Sequence, residues 1–436
     1  MAMNKTMKSA IALSSLAAAM LSFSGCGDTS TTSSSPAAPV CDSSVIDEVL
    51  PASISADMTL DASKVYGLEE KVNVTNGATL SVPAGTTIAG CQPKAFMVVE
   101  PGAQLIAVGT QAQPIVFTSQ KDVLGQSADN KAGEWGGLVL AGNAYTHYTD
   151  NKYEADETVS FGSTSHTNDG ESSGDLEYVV IKHSGYEVEK DKELNGLSLA
   201  GVGSGTTLKN IAIIGGLDDG MEIWGGTVNI DGLYVYNAQD DSVDTDLGYR
   251  GTIQNVLAVQ VNVDKTNNHD SAGMEFGNDH NTIVTDDSNA TQPHMINYTG
   301  YVKGGGISLK YDAGIIAENV KFISAKTADT QQVFYRGADV VDTHAVHIDD
   351  VICFMDSAVT LAEDASTFSV DNSKDTSSKN ALYDWVTDRN DAQGDGLGIQ
   401  MGASGSINVD NTAACAGATE ANIWKGKAGS NAPLEN

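Results

Sequence analysis

Positive charge is what this chain has least of. Lys and Arg number 24 against 57 Asp and Glu, for a formal net charge of −33, and the arginines are Arg250, Arg336 and Arg389 alone. Phosphate recognition needs a basic face, so nucleic acid and bare anionic membrane are excluded as partners of the folded body. The same scarcity weighs against chemistry that needs a basic residue. Long hydrophobic runs are also missing: the apolar stretch from Ala10 to Leu21 falls short of the roughly 20 residues that span a bilayer. From Lys71 onward no convincing helical pattern occurs for about 250 residues. No nucleophile elbow, metalloprotease helix, EF-hand loop or glycine-rich calcium-binding nonapeptide array is present. The histidines are scattered, and His344 and His347, three apart in an expected strand, point to opposite faces rather than forming a zinc pair.

What the chain does contain is a repeat. Leu208 to Asp219 and Ile230 to Asp241 run in phase at a 22-residue spacing, with Asp218-Asp219 answered by Asp240-Asp241 and Glu222 by Asp244. A third copy opens at Ile253. Such a period suits one coil of a parallel β-helix, each coil stacking on the last. Short β-rich runs punctuated by glycine and asparagine continue the pattern on both sides, and long polar insertions interrupt it at about Asp122–Lys131, Tyr145–Gly174 and Asp264–Pro293. Insertions of this kind are loops thrown out from coil corners.

The N-terminus carries Lys5 and Lys8, the short apolar run, and then Phe23-Ser24-Gly25-Cys26, the order of a secretory signal. The last four residues resemble the lipobox of bacterial lipoproteins, with Phe23 where leucine is usual. The resemblance implies a leader over residues 1–25, a diacylated Cys26 as the mature N-terminus and, with Gly27 next, sorting to the outer membrane, on its periplasmic or cell-surface face. Losing residues 1–25 removes two lysines and no acid, so −33 becomes −33 − 2 = −35. Residues 26–40 read as a flexible Ser/Thr/Pro tether. In an exported chain Cys41, Cys91, Cys353 and Cys415 suggest disulfides, and three connectivities are open. Pairing Cys41 with Cys91 and Cys353 with Cys415 staples both ends of the repeat body.

Asn-Gly-Ala-Thr-Leu (76–80), Pro-Ala-Gly-Thr-Thr-Ile (83–88), Pro-Ile-Val-Phe-Thr-Ser (114–119), Glu-Trp-Gly-Gly-Leu-Val-Leu (134–140), Gly-Val-Gly-Ser-Gly-Thr-Thr-Leu (201–208), Asp-Asp-Gly-Met-Glu (218–222) and Asp-Asp-Ser-Val-Asp (240–244) follow one another in order. Together they resemble a family of Gram-negative surface lipoproteins and secreted proteins, mostly without assigned activity. The resemblance runs from about Thr59 to Lys326 and implies an all-β fold, a right-handed parallel β-helix, which is expected over residues 41–330. Residues 331–436 are expected as less regular coils and a cap, with a short helix over Lys379–Asn390.

The acidic ladder is the leading candidate site: Asp218, Asp219 and Glu222 on one coil, Asp240, Asp241, Asp244 and Asp246 on the next, and Glu275 from Gly273-Met274-Glu275-Phe276, which echoes Gly220-Met221-Glu222-Ile223. Hard oxygen ligands in this density suit Ca2+, with no organic cofactor. Aspartates at coil corners also cap backbone amides without metal. Paired carboxylates serve glycosidic cleavage, for which Asp241 and Asp244 are candidates, and lyases of similar fold need a basic residue beside calcium, for which Arg250 is the candidate. The Gly-His-Gly and Arg-Ile-Lys motifs of polygalacturonase-like enzymes are absent. Trp135 and Trp224, each before two glycines, are candidate sugar-stacking platforms or corner fillers. The expectation is a calcium-stabilised envelope lipoprotein binding a polysaccharide or surface protein. A polysaccharide lyase or hydrolase and a structural surface-layer component are the rivals.

Overall fold

The computed structural model describes residues 40–128, 131–148, 151–190, 192–260, 272–278, 289–302, 305–310, 313–324, 334–336, 346–348, 351–356, 399–401, 406–408 and 416–427. The leader, Cys26, most of the tether, Cys415 and the helix expected over Lys379–Asn390 lie outside these residues.

Strands stack in parallel into one sheet of 17 and another of 10, and the chain returns to both again and again, so the fold is an all-β parallel β-helix. In the first sheet Thr207–Ile214 lies on Asn229–Tyr236, followed by Thr252–Val259, His294–Val302 and Ile315–Ser324. The 22-residue repeat is the first of these steps, with Leu208 standing on Ile230. Alternation along each strand sends every second side chain inward. Leu176, Leu208, Ile230, Ile253 and Met295 therefore form one buried column. Leu138, Leu197, Met221 and Val243 form another from the second sheet. Burying such side chains contributes about 1.5–3 kcal/mol each.

The asparagines that punctuate the repeat have a specific place. Tyr178, Asn210, Gly232, Asn255, Asn297 and Asn319 occupy one level of successive coils, all with positive φ, from 51° at Asn210 to 84° at Gly232. This left-handed bend suits Gly and Asn. The side chains stack as an amide ladder in which Asn319 Nδ2 donates to Asn297 Oδ1 at 2.7 Å and Asn297 Nδ2 to Asn255 Oδ1 at 3.1 Å.

The insertions differ in what they build. The first is entered through a short helix, Gln120–Val123, absent from the sequence reading; Ser119 Oγ caps it by accepting from Asp122 N at 3.0 Å. Tyr145–Gly174 forms an antiparallel hairpin of Asn151–Tyr153 and Asp156–Phe161. Its Tyr153, Val159 and Phe161 pack on Val98, Val139, Ala200 and Trp224 on the outer face of the second sheet. Most of the third insertion lies outside the described residues.

Residues 416–427 lie along the outer face of the first sheet, where Ala418, Ile423 and Trp424 cover Val180, Ala212, Tyr234 and Leu257. The Asn319 amide anchors this segment by exchanging two hydrogen bonds with Gly417. Cys41 and Cys91 form the expected disulfide, Cα atoms 5.1 Å apart. Cys353 sits in the strand Val351–Asp356, and its proposed partner lies outside the described residues.

Candidate metal centre on the second sheet

Because Met221, Ile223 and Val243 point into the core, their neighbours in each strand point outward. The outward row of the second sheet runs Val98, Val139, Ser198, Glu222, Asp244, Glu275, Ser308 in successive coils. It begins apolar and becomes acidic. Glu222, Asp244 and Glu275 stack directly on one another, as the repeat predicts. Asp218-Asp219 and Asp240-Asp241 occupy the corners just before the strands Met221–Trp224 and Val243–Asp246.

Three carboxylate groups result: Asp218, Asp219 and Asp240; Asp219, Glu222 and Asp244; Asp241, Asp244 and Glu275. Within each, one oxygen per residue lies within 4.8 Å of the others. At that separation two carboxylates repel by about 3 kcal/mol at an effective dielectric near 20. Asp219, Glu222 and Asp241 are 5%, 9% and 4% exposed, so water screens them poorly.

Hydrogen bonds hold the corners in register. Asp241 N donates to Asp219 Oδ1 at 2.9 Å, Asp219 N donates to Asn195 Oδ1 at 3.1 Å, and Asn195 Nδ2 donates to Glu222 Oε2 at 2.5 Å. Corner capping and cation binding are therefore compatible, since a carboxylate that caps through one oxygen keeps a second. Burial first, and then the neighbouring carboxylates, push the Asp219, Glu222, Asp241 and Asp244 acids well above the usual carboxylate range.

Two further residues join the row, and the period of the repeat gave no sign of either. Glu154, at the tip of the hairpin, is pushed up to about 8 by burial and then by Asp218, Glu193 and Asp246, with Lys192 opposing. It arrives from an insertion, which has no counterpart in other coils. Lys310 Nζ donates to Glu275 Oε1. Burial would lower this ammonium, but Glu275, Asp241 and Asp244 outweigh it and hold the proton more firmly than usual.

The remaining candidates fall elsewhere. Asp246 stacks on Trp224 and accepts from Leu247 N at 2.6 Å, outside the three groups. Arg250 donates to Ala290 O at 2.9 Å and Gln292 Oε1 at 2.8 Å, bracing the chain after the second corner. Both tryptophans are buried, Trp135 in the core just before the strand Gly137–Ala141 and Trp224 on the outer face of the second sheet at the end of Met221–Trp224. Trp135 is fully buried and donates through Nε1 to Lys182 O at 2.6 Å. Trp224, 9% exposed, is covered edge-on by Tyr153, ring centroids 5.3 Å apart at 81°.

Comparison with known protein families matches residues 52–401 to the family described as Pectate-lyase like beta helix domain. No curated protein and no solved structure matches the chain. The family match spans most of the sequence, from the first coils through the acidic row and beyond, and by it the chain belongs to the pectate-lyase-like β-helix family.

Proposed function

We propose that the chain is an outer-membrane lipoprotein, anchored through Cys26, whose β-helix is stabilised by calcium and serves as a binding or adhesion module for a glycan or surface partner. The observation that carries the calcium reading is the set of three carboxylate groups, each with at least one buried member, with ligand oxygens within 4.8 Å of one another. Desolvated like charges at this spacing destabilise the fold unless they are protonated or bridged by a cation. Dense, hard oxygen donors from two corners and three strands favour calcium, which accepts six to eight of them in flexible geometry. Magnesium demands a tighter octahedron and keeps its water.

Melting of the full-length protein in calcium, magnesium and chelator tests this. A calcium-selective rise of several degrees, lost in Asp218→Asn/Asp240→Asn, is expected. Equal melting in all three solutions reduces the acids to corner caps.

The second reading is a calcium-dependent lyase or hydrolase, which the family fold favours. It needs a base beside the metal. Lys310 is held protonated by Glu275, and Arg250 is engaged with Ala290 O and Gln292. Steady release of unsaturated oligogalacturonides from polygalacturonate, abolished by Asp244→Asn, would replace the binding reading with this one.

A further inference from the structure

We propose that the groove between the hairpin and the coil corner at Glu100–Pro101 is a subsite for a neutral, hydroxyl-rich glycan. The inference rests on the glycan-binding reading above and gives it a place and a charge preference. The groove encloses about 420 Å³, within the range of roughly 300–1,000 Å³ typical of small-ligand sites. Glu100, Pro101 and Asn143 form one wall, and the hairpin strand from Thr158 to Gly162 the other. None of them belongs to the acidic row.

Strand alternation decides what this second wall presents. Val159 and Phe161 are 2% and 4% exposed, turned onto the second sheet. Thr158, Ser160 and the strand backbone are left for the groove. The polar groups are held by their own partners. Thr75 Oγ1 donates to Glu100 Oε2 at 2.5 Å. Thr158 Oγ1 accepts from Lys71 at 2.9 Å, and Ser160 Oγ accepts from Lys152 at 2.5 Å. The two sides are tied by Gly162 N, which donates to Gly142 O at 2.8 Å, and Asn143 is pinned from behind by its N donating to Glu171 Oε1 at 2.7 Å. The groove is thus formed before any ligand arrives, which lowers the ordering cost of binding.

Its chemistry is a mixture of a fixed acceptor, an amide that donates and accepts, the Thr158 hydroxyl, whose proton goes to Asp156 Oδ1 at 2.6 Å, and the Ser160 hydroxyl, which accepts from Lys152 and keeps its own proton to donate. A sugar hydroxyl donates and accepts at once and matches such a surface. A uronate fits less well: its carboxylate would face Glu100 on a chain of net charge −33, and like charges drawn together out of water repel. Of the two lysines beside the groove, Lys71 is already paired with Asp156 at 2.5 Å, which leaves the exposed Lys152 beside Ser160 as the opposing attraction. The preference is therefore opposite to the polyuronate suggested by the family's fold.

Binding of the full-length protein in detergent to a panel of cellohexaose, xylohexaose, mannohexaose and hexagalacturonate tests the proposal, alongside Ser160→Trp, which fills the groove from an exposed position, and Glu100→Gln. Retention of a neutral hexasaccharide is expected, weakened by about tenfold or more in Ser160→Trp with an unchanged melting temperature. Hexagalacturonate should bind measurably only once Glu100 is neutralised. If a neutral glycan binds wild type and Ser160→Trp equally, or the wild type retains hexagalacturonate alone, the groove is overturned while the glycan-binding reading survives. If no glycan is retained, both fall.

Discussion

Carboxylates are drawn out of water in two ways along this β-helix. Asp122, in the short helix Gln120–Val123 that follows the first-sheet strand Ile115–Ser119, is met by Lys182 at 2.9 Å from each oxygen, by Thr118 Oγ1 at 2.7 Å and by His183 Nε2 at 3.4 Å. Burial alone would raise its carboxyl; the hydrogen bonds of His183, Lys182 and Thr118 win, and it lies well below the ordinary range. On the second sheet Asp219, Glu222, Asp241 and Asp244 are buried among one another and are driven the opposite way. The first arrangement carries its own counter-charge. The second leaves a negative excess that Lys310 answers at Glu275, and such an excess persists in a stable fold only when protons or cations balance it.

Removing each lysine sharpens the contrast. Lys310→Met leaves Glu275 buried among acids, and a loss of about 3 kcal/mol is expected in chelator, where no other cation compensates. The loss should shrink in calcium. Lys182→Met should cost less, about 2 kcal/mol, because Asp122 remains 23% exposed and keeps His183 and Thr118, and calcium should leave that cost unchanged. Urea unfolding of both variants with and without calcium measures the four values. Equal calcium dependence for the two lysines would break the distinction.

The two arrangements also titrate with opposite sign. Glu154 has its folded value raised to about 8 from 4.5, so between those values the folded state holds a proton that the unfolded chain has released. Stability then falls as pH rises through that window. Asp122 is depressed below 3.8, so its contribution is present above that value and is lost as pH falls below it. In chelator the melting temperature should therefore climb as pH drops from about 8 towards 4.5, then decline in stronger acid. Calcium, which needs ionised ligands, should remove or reverse the upper limb. Melting curves in chelator that stay flat across the upper window would refute the like-charge account of the row.

Much of this was legible in the sequence, for a physical reason. A parallel stack forces equivalent residues into register, so a 22-residue echo of Asp218-Asp219 and Glu222 directly forecast the contacts seen between coils. The Cys41–Cys91 staple was likewise readable from the position of the two cysteines at one end of the repeat body. Glu154 and Lys310 were not, because one comes from an insertion with no period and the other has no counterpart in the preceding coils. The tryptophans misled as stacking platforms for a related reason: flanking glycines signal room beside an indole but not which side it fills. Gly90 opens the interior to Trp135, where an added Cβ would sit 2.3 Å from the indole Cβ. The hairpin that covers Trp224 is again an insertion.

The smallest expected effect separates the two arrangements by sign. Asp244→Asn keeps the shape of a side chain that stacks between Glu222 and Glu275 and removes a charge that burial, Glu275 and Asp246 all oppose. In chelator the neutral amide should stabilise the protein by about 1 kcal/mol. In calcium the same change deletes a ligand and should destabilise it. Asp122→Asn removes a carboxylate that Lys182 and His183 both favour, and should destabilise the fold in either solution. A variant whose effect changes sign with calcium identifies a carboxylate placed for a cation, whereas one that destabilises in both belongs to a self-sufficient ion pair. If Asp244→Asn weakens the chelated protein, the charge at this position is balanced within the chain, and the row is a larger version of the Asp122 site rather than its opposite.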